Sequence, residues 1–340
     1  MRRGMVSWIL GCVFVAAAGI AVGLPAGALA ATPGPPANVS FSPGVTSETV
    51  GEFVTEVATI TDAEGNLVAD GTPGAWSVTV PGSTPANITR MDTITKNGQV
   101  TLTFSTTTVG VSPIKFTAGY APDTASGSTS INWIAGPPAL ITLSPGNASA
   151  SVDGVVSEIA TVKDQYGNRV ANLTTVSFTV TGVNHRFGTS PTYNGEASLN
   201  YSGALPGTDK LTASAGSAPP ATAEVTWTTS VTTARAMLDI VSPISPSIVA
   251  TVQTNANVGP PYGQLLYISS AVRLQQVQFM SLVVNGDRAT LYGTARLADG
   301  TAVVFRLDAT AGQASGTVRL RLSTGYDSGS VAVRMVRIRA

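Results

Sequence analysis

An all-β chain, two tandem two-sheet sandwiches followed by a further β-rich domain, is the fold the sequence predicts. Three observations carry that expectation. A block of the chain recurs roughly 100 residues later, apolar residues alternate with small polar ones through both copies, and helical signals are absent. Composition agrees with a folded chain: 43% of its 340 residues are hydrophobic, enough for packed cores, and 11% are charged, where about 25% is usual. Nineteen basic residues balance nineteen acidic ones, so no global field draws the chain to nucleic acid or anionic lipid. The single His, His185, and single Cys, Cys12, largely exclude Cys/His nucleophiles, thiolate metal centres and multi-His zinc sites, and no cofactor is expected.

Residues 1–30 form an address. Arg2 and Arg3 precede an apolar run from Met5 to Leu24, closed by the small-residue site Ala28-Leu29-Ala30. That order predicts a secretory signal peptide cleaved after Ala30. An uncleaved anchor is the competing reading because the run approaches spanning length, but Gly19, Gly23, Pro25 and Gly27 interrupt it. A lipidated Cys12 is a third, with too few apolar residues before it. The mature chain then has no Cys, so its stability must come from packed cores rather than disulfides. No second hydrophobic span follows, and no membrane contact is expected after cleavage.

The repeat comes next. The run Ala58-Thr59-Ile60-Thr61-Asp62-Ala63-Glu64-Gly65-Asn66 returns as Ala160-Thr161-Val162-Lys163-Asp164-Gln165-Tyr166-Gly167-Asn168, an offset of 102. Asn97-Gly98 matches Asn194-Gly195 and Gly110 matches Gly207 at offset 97, while Trp133 matches Trp227 at 94. The shrinking offset predicts deletions in loops with the strands kept in step. Apolar residues at period two, such as Val78 and Val80, Leu102 and Phe104, or Phe178 and Val180, predict half-buried antiparallel strands. Turn residues every ten residues or so set the rhythm of a sandwich. In the Asp-x-x-Gly-Asn turns, Asp62 or Asp164 can accept from the backbone two residues on, and Gly65 or Gly167 supplies a positive φ. A calcium site on the same Asp is the alternative, although Ca²⁺ prefers about six to eight oxygens.

These motifs, with Gly207-Thr208-Asp209-Lys210-Leu211-Thr212-Ala213 in the second copy, resemble the group 1 bacterial immunoglobulin-like domain of the invasin and intimin type. The first copy departs from the pattern, carrying Val109-Gly110-Val111-Ser112-Pro113 in place of Gly-Thr-Asp. The resemblance implies Ig-like spacer or stalk modules on a bacterial surface, often adhesive and never catalytic. The organisation expected is therefore a signal peptide (1–30), Ig-like domains at 31–136 and 137–229, and a C-terminal β-rich domain at 230–340.

From Val231 onward Lys is absent and ten Arg face five Asp, whereas residues 31–230 carry seven basic and fourteen acidic side chains. Leu282 to Asp287 followed by Ala289-Thr290-Leu291 predicts a hairpin on an Asn-Gly turn, and Asp299-Gly300 marks the next turn. Gly263 to Tyr267, Ser281 to Ala295 and Phe305 to Asp308 resemble a β-rich C-terminal domain attached to secreted and surface proteins of actinobacteria and their neighbours. Val318-Arg319-Leu320-Arg321-Leu322 and Val336-Arg337-Ile338-Arg339 alternate strictly. Arg319 with Arg321, and Arg337 with Arg339, thus share a face, and all four form an anion-contacting patch if the two runs lie in one sheet.

Sharper chemistry is weighed against this. Tyr326-Asp327-Ser328-Gly329 invites a serine-nucleophile reading, but the only possible base, His185, belongs to a loop of the second repeat. Asp299 and Asp308 as a glycosidase pair lack a cleft. Trp133 and Trp227 occupy equivalent last-strand positions and are expected to pack rather than bind sugars. Catalytic, cofactor and metal residues are therefore none. The function expected is that of a non-catalytic secreted or cell-surface adhesion, spacer or scaffold component whose partner is an extracellular protein or cell-wall glycan. The alternative is a carbohydrate- or cell-wall-binding accessory module for a separate enzyme.

Overall fold

The computed structural model describes residues 32–82, 88–229, 231–255 and 259–340. The expected signal peptide, with Cys12, lies outside the described residues. Every regular element within them is a strand, and no helix among them is long and apolar enough to cross a membrane.

In the first repeat β1 (Asn38–Ser42), β2 (Thr46–Thr49), β3 (Val54–Thr61), β4 (Pro73–Thr79), β5 (Ile88–Ile94), β6 (Gln99–Phe104), β7 (Gly110–Tyr120) and β8 (Asp123–Ile134) form two sheets, ordered β1-β3-β6 and β2-β8-β7-β4-β5. The second repeat supplies β9 (Leu140–Ser144), β10 (Ala148–Ser151), β11 (Val156–Lys163), β12 (Thr175–Gly182), β13 (Arg186–Pro191), β14 (Glu196–Tyr201), β15 (Gly207–Ser214) and β16 (Ala221–Thr228). Its sheets are ordered β9-β11-β14 and β10-β16-β15-β12-β13, the same arrangement strand for strand. In both copies the short second strand runs parallel to the last one, and this crossing of a strand between sheets gives an immunoglobulin-like sandwich.

Period-two alternation carries the packing. Along β3 and β11 every second side chain turns inward, and Val54, Ile60, Val156 and Val162 each gain about 1.5–3 kcal/mol on full burial. Trp76, Phe116, Ile131 and Trp133 fill the first core; Phe178, Leu211, Val225 and Trp227 fill the second. An edge-to-face pair recurs in both, Phe104 on Trp133 (5.6 Å) and Tyr201 on Trp227 (5.4 Å). The drop in offset from 102 to 97 falls between the end of β4 at Thr79 and the start of β5 at Ile88, against Gly182 and Arg186 in the second repeat. The drop to 94 does not fall in a connection. There the β7–β8 hairpin of the first repeat pairs down to Tyr120 and Asp123, whereas the second opens into a loop beyond Ala213 and Ala221, so a segment expected as loop is strand in one copy.

The C-terminal sandwich has another topology. It is built from β17 (Met237–Ser242), β18 (Ser247–Gln253), β19 (Tyr262–Ile268), β20 (Gln275–Asn285), β21 (Arg288–Arg296), β22 (Ala302–Ala311), β23 (Gly316–Leu322), β24 (Val331–Val333) and β25 (Met335–Arg339). Its sheets are β19-β18-β17-β25 and β20-β21-β22-β23-β24. Consecutive strands pair as a meander within each sheet, the chain changes sheets between β19 and β20, and β25 crosses back, at Arg334, to lie beside β17. Between the sheets lie Leu238, Ile240, Tyr267, Leu291, Phe305 and Leu320. The expected β20–β21 hairpin forms, but Asn285 pairs with Arg288, so the loop residues are Gly286 and Asp287 rather than Asn and Gly. Of the loop pair only Gly286 has a positive φ (61°), as a type II′ turn requires.

Candidate functional site

Each Asp-x-x-Gly-Asn turn clamps the chain that enters its own repeat. Asp62 Oδ1 accepts from the N–H groups of Glu64 (3.1 Å) and Asn66 (2.8 Å), and its Oδ2 accepts from Asn66 Nδ2 (3.2 Å) and Gly34 N (3.0 Å). Asp164 does the same with Tyr166 N (2.9 Å), Asn168 N (2.9 Å), Asn168 Nδ2 (3.0 Å) and Gly136 N (3.1 Å). Gly65 (φ 86°) and Gly167 (φ 87°) take the left-handed conformation the turn needs. The Gly34 N–H, ahead of the Asn66 and Glu64 donors, holds the Asp62 carboxyl below the usual range. Burial pushes Asp164 up, but its donors outweigh it and the net shift is downward. The oxygens that would coordinate calcium are thus occupied by N–H groups. The second turn also reaches the first repeat: Asn168 Nδ2 donates to Thr107 O (2.8 Å), and Asn168 Oδ1 accepts from Val109 N (3.3 Å).

The Gly-Thr-Asp motif has a different task. Asp209 is fully buried and accepts from Asn184 N (2.8 Å), Asn184 Nδ2 (3.0 Å) and the indole of Trp227 (2.8 Å). Asn184 Oδ1 in turn accepts from Ala204 N and Leu205 N. The network ties the core tryptophan to the loops facing the C-terminal sandwich. Burial raises the Asp209 carboxyl, opposed by the Asn184 and Trp227 donors. Ser112 stands at the equivalent place in the first repeat, where it accepts the Trp133 indole N–H (3.0 Å). The missing Asp is thereby replaced by a neutral acceptor.

A feature that sequence reasoning missed is a buried glutamate at the same place in each repeat. Glu56 and Glu158 are fully buried among inward residues of β3 and β11. One oxygen of each accepts a backbone N–H, from Gly44 and Gly146 respectively (3.3 Å in both), and the other has no hydrogen-bond partner. Burial pushes both carboxyls up, partly offset by those N–H donors. The signal was present: each Glu interrupts an inward apolar series at offset 102 and follows a Ser-Pro-Gly by the same spacing.

The second repeat and the C-terminal sandwich meet through Arg306. Its side chain is only 10% exposed. Nη1 donates to both oxygens of Asp153 (2.6 Å each) across the junction, and Nε donates to Asp308 (2.8 and 3.0 Å) on its own strand. Its guanidinium lies 5.6 Å from the ring centre of Tyr292. That ring belongs to the C-terminal sandwich, yet it packs into the core cluster of the second repeat. Alternation along residues 303–308 reveals that Arg306 faces outward with Asp308 but cannot reveal what covers it.

Registers on the outer face of β21, β22 and β23 set out a grid: Arg288, Thr310 and Thr317 in one row; Thr290, Asp308 and Arg319 in the next; Tyr292, Arg306 and Arg321 in the third. The structure brings Arg319 and Arg321 together here. Arg337 and Arg339 lie on β25 in the other sheet, exposed, with Arg337 opposite Asp239, so the four-Arg patch does not assemble. Asp327 pairs with Arg319 through two guanidinium nitrogens, Nε (2.8 Å) and Nη2, and the Arg319 partner holds its carboxyl down at about 2.

The residues weighed for chemistry are occupied. Ser328 Oγ accepts from Leu320 N (2.8 Å) and donates to Gly329 O (2.8 Å). His185, in its loop of the second repeat, lies near this segment, with Nε2 2.9 Å from the Ser323 carbonyl. Asp299 caps its own turn by accepting from Thr301 N (2.9 Å).

No family model and no curated protein matches the chain. Among solved structures it is similar to the Escherichia coli adhesin FdeC, at 16% identity over 89% of this chain and 98% of that one, with a TM-score of 0.44. It is also similar to invasin, a bacterial integrin-binding protein, at 18% identity, covering 87% of this chain and 59% of that one with a TM-score of 0.31. The third is the D0–D1 domain of intimin, at 18% identity, covering 54% of this chain and 95% of that one with a TM-score of 0.21.

Proposed function

We propose that the chain is an exported bacterial surface or secreted protein that catalyses nothing and serves as an adhesion, spacer or scaffold component. Its units are residues 31–136, 137–229 and 230–340, the last being the β-rich domain type found on secreted actinobacterial proteins. The observation that carries this reading is the repeated clamp. In both repeats the side chains of the invasin-type motif are used to fix the entering backbone and, at Asn168, to dock the preceding unit. Residues spent on holding modules in series are what a spacer requires. Beads carrying residues 31–340 should be retained on host-cell or bacterial-wall surfaces above beads carrying an inert protein of equal charge. Equal retention on every surface sinks the adhesive part.

One observation favours the accessory-module reading. The outer face of β4, β5 and β7 holds a groove of about 1060 Å³ lined by Lys115, Thr117, Ser77 and Tyr120, a residue 76% exposed. An aromatic at a groove rim is a stacking surface for a sugar ring. Co-sedimentation with insoluble peptidoglycan or cellulose that is lost in Tyr120→Ala would support it.

A further inference from the structure

The first two rows of the arginine grid are not covered by the second repeat. With Val152 and Asp153 as a wall, they border an open cavity of about 520 Å³. Strand neighbours lie about 4.8 Å apart, and successive outward residues about 6.8 Å, so one oxyanion can touch several of these groups. We propose that this trough binds the carboxylates of an acidic polysaccharide, a site separate from the Tyr120 groove and independent of the spacer reading.

The charges in the trough do not close on themselves. Arg288, Arg306, Arg319 and Arg321 line it. Asp153 and Asp308 both serve Arg306, and Asp327 serves Arg319. Arg321 is left with Asp308 at 3.4 Å and Asp327 at 4.0 Å, and its buried Nε has no acceptor. Arg288 has no ion pair or hydrogen-bond acceptor for its side chain among the described residues, and it stands beside Thr310 and Thr317. Cations at neighbouring sheet positions repel unless an anion answers them, and a guanidinium fork matches a carboxylate in two parallel hydrogen bonds. Threonine hydroxyls along the first row suit the hydroxyls of a sugar ring. The trough offers no exposed aromatic ring, since its Tyr292 is buried, so the stacking that single-stranded nucleic acid uses is absent here.

The test uses residues 31–340 and biosensor surfaces of polygalacturonate, heparin, glycerol-phosphate teichoic acid, single-stranded DNA and neutral dextran at low and moderate salt. The expected result is salt-sensitive binding to polygalacturonate, weakened about tenfold by Arg288→Ser with Arg319→Ser and unaffected by Arg337→Ser with Arg339→Ser. Stronger binding to the sulfated or phosphorylated polymer with the same mutational pattern keeps the site and replaces the carboxylate. Three results overturn the proposal: no binding at low salt, equal loss with the β25 pair, or equal binding of DNA. If the double variant loses its folded melting transition, Arg288→Ser alone decides, because that side chain holds nothing in place.

Discussion

Between the two repeats the hydrogen bonds come from one exposed turn, with Asn168 serving Thr107 and Val109 at the surface, and the Tyr166 ring of the same turn lies against Gly51. Between the second repeat and the C-terminal sandwich, a guanidinium nine-tenths buried meets carboxylates from both sides, and an aromatic ring from one unit sits in the core of the other. The first junction is written into a repeated motif, so it can be copied with each module; the second depends on residues that belong to no motif. Polar contacts in water exchange protein partners for solvent partners and are worth about 0.5–1.5 kcal/mol each. The buried Tyr292 ring has no such exchange available, and in the ion cluster the Arg306 guanidinium is the group withdrawn from water. The second junction is therefore expected to couple its partners more tightly than the first.

The largest effect should come from Tyr292→Ala, which removes a buried ring shared by two units and should cost about 3–5 kcal/mol. Calorimetry of residues 31–340 should then resolve separate transitions for the second repeat and the C-terminal sandwich where the unaltered chain shows them merged. A single transition at unchanged temperature would contradict the coupling.

Arg306→Ala should cost less, about 2 kcal/mol. Breaking a fully buried pair costs more, but Asp153 is 57% exposed and can regain water once its partner is gone. The transition should move toward that of the Tyr292 variant, and Arg306→Lys should recover only part of the effect because one ammonium cannot hold Asp153 and Asp308 as Nη1 and Nε do.

The buried glutamates provide a comparison within the repeats. Burial raises Glu158 above its ordinary value of 4.5. The stability linked to its protonated form is present below that value and is lost as pH rises through the raised folded value. Glu158→Gln should flatten this fall and add about 1 kcal/mol at neutral pH, since a buried charge with an unpaired oxygen is removed. Glu56→Gln should behave alike in the first repeat. Unequal slopes would point to Tyr201, which interacts with Glu158 where the first repeat has Phe104.

Asn168→Ala should give the smallest shift, about 1 kcal/mol, and Asn66→Ala is its control. Both lose the bond to their own Asp, but only Asn168 reaches another repeat. The difference between the two losses in melting temperature measures the hydrogen bonds of Asn168 to the first repeat; no difference would show that those bonds contribute nothing.

Much of this was legible in the residues. Alternation assigned Trp133 and Trp227 to last strands, the offsets aligned the repeats, and the Asp-x-x-Gly-Asn turns announced their own hydrogen bonds, because these features depend on contacts a few residues apart or on a period of two. The arginine set was half legible: period two put Arg319 with Arg321 on one face and Arg337 with Arg339 on another. That the two pairs lie on different sheets was decided by the crossing of β25 at Arg334, a matter of strand order that local pattern does not encode. Asp153 meets Arg306 across 153 residues of sequence, and Tyr292 leaves its own sandwich to fill another. By itself the sequence determined most of the strands, their faces and the Asp-x-x-Gly-Asn turns, since backbone geometry repeats along the chain. The tertiary structure alone decided which faces are covered and which charges are answered, because burial and pairing depend on what the fold brings from far away.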